Sequence, residues 1–263
     1  MKNQPIFIIG CPRSGTTLVR VILDSHPNIC SGPETHLIEK LKPFNEKVIK
    51  NWNNLESYQL TKEQYLKNLG NVFSSFQESY TKSKNKKRWA EKTPDNIFYA
   101  DFINQLFPNC QFINIIRDGR DVVCSFKERW GRTSIPNAMK NWNKSIELSY
   151  EYKKKFSKDR YLEVRYEQLV HNPEIETKKI MNFLKEKWTP DLLKYHNKKH
   201  DFSFNAKTGK NVDFKKEKKP LRHSPRKPMF QSSAGKWEKN LNIFEKAIIN
   251  FCLKENLRKL GYK

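Results

Sequence analysis

Apolar residues fall along this chain in two rhythms. Short unbroken runs rich in β-branched and aromatic residues, at 6–9 (Ile-Phe-Ile-Ile) and 112–116 (Phe-Ile-Asn-Ile-Ile), predict strands buried on both faces. Residues 89–94 read as the end of another short strand, and 160–166 alternate enough to suggest a strand nearer a sheet edge. Helical spacing fills the gaps. A helix from Thr16, with Leu18, Val21 and Ile22 on one face, ends near His26-Pro27, because proline disfavours helical geometry before it. Residues 28–34 read as a loop. From 35 to 87 the pattern is helical, with Leu37, Leu41, Phe44 and Val48 near a helical repeat. A capping box at Thr61-Lys-Glu-Gln64 follows, then Leu66, Leu69, Val72 and Phe73 on one face. Helices are also predicted at 95–107, at 137–156 carrying Trp142, Ile146 and Tyr150, and at 174–184, where Asn172-Pro173 supplies the N-cap and first turn. A last helix at 241–260 is expected to bury Ile243, Ala247, Ile248 and Phe251. Strands alternating with helices predict an α/β fold: a three-layer parallel sheet flanked by helices, with its ligand at the strands' C-terminal ends. Residues 1–263 are expected to form a single domain, with 35–87 as a helical cover.

The first strand leads into Gly10-Cys-Pro-Arg-Ser-Gly15-Thr16-Thr17 and then a helix. A strand, a glycine-bounded turn and a helix N-terminus make an anion site, since free amides converge there and the helix dipole favours negative charge. The spacing is that of a P-loop, G-x-x-x-x-G-K-[ST], except that Thr16 stands where the lysine would be. A nucleoside triphosphatase or kinase needs that lysine on its outer phosphates, so this reading is disfavoured while the phosphate cradle remains. The fold expected is therefore P-loop-like. A second anchor follows the strand at 112–116. Arg117 stands at its end, and Asp121, Ser125 and Arg129 share one face of the helix that opens there. A strand-end arginine and a helix serine can meet one phosphate from two sides.

Charge adds to this picture. Fifty-one Lys plus Arg against 28 Asp plus Glu give the 263-residue chain a formal charge of +23. Such an excess attracts anions, whether nucleotide, nucleic acid, membrane surface or acidic substrate. Residues 194–239 concentrate it, with 14 basic against 4 acidic residues, and read as a long basic loop that orders over a nucleotide. No nucleic-acid reader motif appears, so a basic nucleic-acid-binding protein is the weakest class. Five cysteines without a C-x-x-C pair give neither a zinc site nor a disulfide framework, and no carboxylate cluster has ligand spacing, so no metal is expected. No apolar run approaches the ~20 residues of a membrane span, and nothing before the first strand resembles a signal peptide. A cytoplasmic location is expected.

Pro12-Arg13-Ser14-Gly15-Thr16-Thr17 resembles the 5′-phosphosulfate loop of sulfotransferases that use 3′-phosphoadenosine-5′-phosphosulfate. The continuation through Gly32-Pro33-Glu34-Thr35 is most similar to the tyrosylprotein sulfotransferase branch. Arg117-Asp-Gly-Arg-Asp-x-x-x-Ser125 resembles the family's 3′-phosphate motif, and Gln231-Ser-Ser-Ala-Gly-Lys236-Trp237 its closing loop. The resemblance implies a sulfuryl transfer to an acceptor hydroxyl, of a peptide tyrosine or of a small or sugar acceptor, with adenosine 3′,5′-bisphosphate as product and no metal. It implies that Arg13, Ser14, Gly15, Thr16 and Thr17 hold the phosphosulfate. Arg117 and Ser125, with Arg129 and Lys236, would meet the 3′-phosphate, and Tyr166 would lie against the adenosine. Lys227 is a second candidate beside Lys236. Lys92, in Glu-Lys-Thr-Pro, is the candidate to neutralise the leaving oxygen, and Glu34 the general base, with His36 and then His26 as rivals. The basic charge suggests an acidic acceptor; a homodimer is compatible with the resemblance. The tyrosylprotein enzymes carry a membrane anchor and a bridged cysteine at the position of Cys30, and this chain departs from them in both.

Overall fold

The computed structural model describes residues 4–202, 204–205, 210–211 and 234–263. Five parallel strands, β1 (Ile6–Gly10), β2 (Ile29–Cys30), β3 (Arg88–Lys92), β4 (Gln111–Ile116) and β5 (Tyr161–Arg165), form one sheet in the order β2-β3-β1-β4-β5. A two-stranded antiparallel pair, β6 (Phe204–Asn205) and β7 (Lys210–Asn211), lies outside it. The helices are α1 (Thr16–Asp24), α2 (Leu37–Lys50), α3 (Lys62–Ser83), α4 (Ala100–Leu106), α5 (Gly119–Trp130), α6 (Ile135–Lys155), α7 (Tyr166–His171), α8 (Pro173–Leu184), α9 (Trp237–Asn240) and α10 (Ile243–Lys259). The chain leaves the central β1 for β2 and β3 on one side, then places β4 and β5 on the other. Such a reversal of strand order opens a crevice at the carboxyl ends of the strands beside it, here β3, β1 and β4.

The core follows from the two-residue period of β1. Ile6 and Ile8 join Val19, Val21, Ile22 and Leu23 of α1 and Ile180, Met181 and Leu184 of α8. Phe7 and Ile9 join Leu69 and Phe73 of α3, Phe102, Ile103 and Leu106 of α4, and Tyr152 and Phe156 of α6. Phe7 is the hub of an aromatic cluster, with Phe73, Trp89, Phe107 and Phe112 at ring-centre distances of 5.5–6.0 Å, spacings at which aromatic pairs add to plain burial. Segment 35–87 thus helps to build the second layer: it folds as α2, a 3-10 stretch at Trp52–Tyr58, and α3, whose Thr61–Gln64 capping box forms as its sequence predicts.

Several expectations are corrected. Ile29–Cys30, inside the predicted loop, adds a short edge strand beside β3. Tyr166 starts α7 and is not the end of the strand. Asn172 and Pro173 stand at the N-cap and first turn of α8 as expected, but the Asn172 side chain donates to Gln168 and makes no cap hydrogen bond. Phe44 and Val72 stand at the margins of their apolar stripes and are exposed. The largest correction concerns α10. It buries Ile249, Leu253 and Leu257 against α5 and α6, while Ile243, Ala247, Ile248 and Phe251, the face expected to be buried, look outward.

Candidate functional site

The turn after β1 needs its glycines. Gly10 (φ 144°) and Gly15 (φ 103°) occupy the left-handed side of backbone space, and a Cβ at Gly15 would stand 2.3 Å from the Tyr166 ring. At Gly10 it would stand 2.6 Å from the Ile115 carbonyl. Arg13 (φ 72°) carries the same strain without being glycine, a backbone cost typical of functional turns. Among the described residues no side chain caps the start of α1, so its first-turn amides face the turn uncovered. Ser14 is buried, and its Oγ has no hydrogen-bond partner among the described residues.

Around this turn the structure gathers cations from three strands. Arg13 Nε donates to Ser125 Oγ at 3.0 Å, and its guanidinium lies 5.9 Å from the Trp130 ring centre. Arg117, directly after β4, donates from Nη1 to the Arg13 carbonyl at 3.2 Å and stacks 4.3 Å above the Tyr166 ring. Burial, together with nearby Arg129 and Arg117, holds Arg13 below the ordinary guanidinium range. Like charges assembled at this cost fit an anionic ligand, and the buried Ser14 hydroxyl and uncapped helix start fit its oxygens. Tyr166 is thereby placed against Gly15 and Arg117, bracing the turn and the strand-end arginine against each other.

Lys92 ends β3 and is 2% exposed. Its Nζ donates to Thr17 Oγ1 at 3.3 Å and forms an ion pair with the Glu34 carboxylate. Burial pushes the ammonium below the usual lysine range, and Glu34 opposes that shift. Glu34 is partly open to solvent, and its other oxygen lies 3.3 Å from His36 Nε2. His26 is removed from this group: its two ring nitrogens meet the Lys187 carbonyl and the Asn28 amide. Glu34, Lys92, Thr17, the turn, Arg13, Ser125 and Arg117 therefore form one continuous chain of contacts.

Two carboxylates that sequence reasoning did not assign hold the surroundings. Glu91, buried beside Lys92, accepts from Thr35 (3.2 Å), Thr93 (2.6 Å) and Asn96 (2.6 Å), tying the Glu34 loop to β3. Burial raises its pKa. Asp121 accepts from the Gly235 and Trp237 amides at 2.9 and 3.0 Å, fixing the Gly-Lys-Trp turn to α5, and burial raises its pKa against the opposing Arg117. Lys236 pairs with Glu128 at 2.7 Å, on the α5 face that also carries Ser125, and Arg120 stacks 4.0 Å over Trp237. Arg129 follows Ser125 by one turn, close enough to influence Arg13. Lys227 and residues 231–233, like most of the basic run 194–239, lie outside the described residues.

A family model described as "Sulfotransferase family" matches residues 5–190. The chain belongs to the sulfotransferase family. It is 34% identical over 197 residues to a protein-tyrosine sulfotransferase of Drosophila melanogaster, covering 72% of this chain and 39% of that protein. Identity to protein-tyrosine sulfotransferase A of Caenorhabditis elegans is 33%, over 72% of this chain and 51% of that one. The chain thus spans about half the length, or less, of these curated relatives. Among solved structures, the sulfotransferase domain of the Synechococcus PCC 7002 olefin synthase superposes with a TM-score of 0.64 at 22% identity, covering 97% of this chain and 96% of that one. The sulfotransferase domain of the curacin biosynthetic pathway gives 0.65 at 20% identity, with 99% and 98% covered. At such identities these two show the shared sulfotransferase fold.

Proposed function

We propose that this sulfotransferase family member moves the sulfuryl group of 3′-phosphoadenosine-5′-phosphosulfate to the hydroxyl of a peptide tyrosine. The observation that carries the reading is the position of Lys92, in contact with both Thr17 of the anion turn and the carboxylate of Glu34. The donor supplies an activated sulfuryl group whose release leaves negative charge on a phosphate oxygen. The amides and hydroxyls of Ser14 to Thr17, with Arg13, hold the phosphosulfate; Arg117 and Ser125, supported by Arg129 and Lys236, hold the 3′-phosphate. Glu34 takes the proton from the acceptor hydroxyl, and Lys92 offsets the charge that develops on the departing oxygen. Both groups are held before reaction, so little reorganisation is needed at the barrier. The peptide-tyrosine acceptor rests on the curated relatives, which are named protein-tyrosine sulfotransferases. An acidic sequence around that tyrosine would suit the chain's charge of +23.

The test is transfer of labelled sulfate from the donor to three acceptors: a tyrosine peptide, the same peptide with phenylalanine, and a panel of sugar and small phenolic hydroxyls. Label on the tyrosine peptide alone is the expected result. Label on the small acceptors alone would assign the chain to a small-molecule branch. No turnover with any acceptor, together with no calorimetric binding of adenosine 3′,5′-bisphosphate, would remove the reading altogether.

A further inference from the structure

α10 is apolar on two opposite faces. Ile249, Leu253 and Leu257 point inward, and its orientation is pinned by polar ties as well as by the core. Asn143 Nδ2 donates to the Cys252 carbonyl at 3.0 Å, Asn256 Nδ2 donates to Asn143 Oδ1 at 2.9 Å, and Lys127 pairs with Glu245 at 2.6 Å. With that face committed, Ile243, Phe244, Ile248 and Phe251 stand in solvent at 76, 77, 56 and 83% exposure, with exposed Ala247 between them. They cover one stripe about 12 Å long. Large aliphatic and aromatic side chains grouped on one exposed face mark an interaction surface, whereas singly scattered ones do not.

The charges around the stripe select its partner. Lys254 and Arg258 continue the same face toward the C-terminus. The two acids of the helix are already answered within the chain: Glu245 by Lys127 and Arg132, Glu255 by Lys259 at 2.5 Å. The rim is therefore cationic, on a chain of net charge +23. A two-fold contact between copies would bring two chains of this net charge together, which like-charge repulsion opposes. A partner with an apolar interior and an anionic surface fits both features. The stripe is the outside of a single helix, a convex surface suited to entering a deformable layer by about 5–10 Å. Among the described residues no helix is long and apolar enough to cross a membrane, so such contact would be peripheral. We infer that the outer face of α10 docks this protein onto an anionic lipid surface, with Phe244, Phe251, Ile243 and Ile248 entering the acyl boundary and Lys254 and Arg258 meeting the headgroups.

The experiment is co-sedimentation of the 263-residue protein with vesicles of phosphatidylcholine alone and of phosphatidylcholine with phosphatidylglycerol. The parent should bind the phosphatidylglycerol vesicles, and more weakly as salt rises. A Phe244→Ser/Phe251→Ser variant should keep the parent's melting temperature, because both rings are exposed, and should bind those vesicles at least about tenfold more weakly. Lys254→Glu/Arg258→Glu should weaken binding to a similar extent and flatten its salt dependence. No binding to the anionic vesicles at low salt overturns the inference. Equal binding by the phenylalanine variant does so too, since overall charge would then suffice. A dimer seen by light scattering in the parent and lost in that variant would assign the face to a second copy, which also overturns it.

Discussion

Lys92 shows how one side chain can serve two partners in a site assembled from distant segments. Its ammonium is buried, which disfavours the charge, and it keeps its place through Thr17 on one side and Glu34 on the other. Glu34 is consequently held at the edge of the anion turn, where an acceptor hydroxyl would arrive. His36, 3.3 Å away, contacts Glu34 and stands outside the Lys92–Thr17 chain. Glu34→Gln preserves size and hydrogen bonding but removes the carboxylate proposed to accept the proton. Its kcat is expected to fall by about 10²–10⁴, while the calorimetric Kd for adenosine 3′,5′-bisphosphate stays near the parent value. His36→Ala is expected to lose far less. The opposite ranking of the two variants in initial-rate assays would assign the base to the histidine.

At the scale of elements, residues 198–202, which follow a 3-10 turn at Tyr195–Asn197, are strapped to α1. Arg20 donates to the Ser31 and Asp201 carbonyls and lies 4.9 Å from the Phe202 ring centre. Asp201 accepts from Tyr80 at 2.9 Å and Lys84 at 2.7 Å. His200, buried, meets Asp24 at 2.6 Å, and the Ser31 amide donates to the same carboxylate. Burial alone would raise the Asp24 pKa; the His200 hydrogen bond, Lys86 and the Ser31 amide outweigh it, and the folded-state value lies below the ordinary one. A carboxylate depressed on folding contributes stability that is present above its unfolded pKa, about 3.9, and is lost as pH falls through the folded value. Asp24→Asn should therefore cost about 1–3 kcal/mol at neutral pH. The gap to the parent, followed by urea unfolding, should shrink as pH is lowered below about 4. A gap independent of pH would show that the ionised carboxylate contributes nothing to this strap.

For the molecule as a whole, the described residues near Glu34 include acids as well as Lys92. Glu39 and Asp95 lie near Glu34, and burial with the Glu34 charge raises the Asp95 pKa. Attraction of an acidic acceptor would then act through the field of the whole surface, which salt screens over about 10 Å at 0.1 M. Raising ionic strength is expected to increase KM for an acidic tyrosine peptide while kcat changes little. A KM indifferent to salt in steady-state kinetics would mean that the net charge has no part in acceptor capture.

How much of this was legible in the chain depended on range. The strand–turn–helix from β1 into α1, the arginine at the end of β4 and the serine face of α5 could be read because each is a local pattern of period, glycine and charge. The edge position of β5 followed from its alternation. Glu34 and Lys92 were candidates through resemblance, but their meeting spans 58 residues and depends on β3 lying beside β1. Asp121 could be placed on the helix face of Ser125 and Arg129, but its tie to the Gly235–Trp237 backbone exists only after the chain returns across more than 100 residues. α10 shows the limit most clearly. Helical periodicity reports that apolar stripes exist, and this helix has two. Ile243, Ala247, Ile248 and Phe251 make as regular a stripe as Ile249, Leu253 and Leu257. Only the packed surface of α5 and α6, with Asn143 and Lys127 placed to hold one orientation, decided which stripe entered the core, because burial is a property of what an element packs against and not of its own sequence.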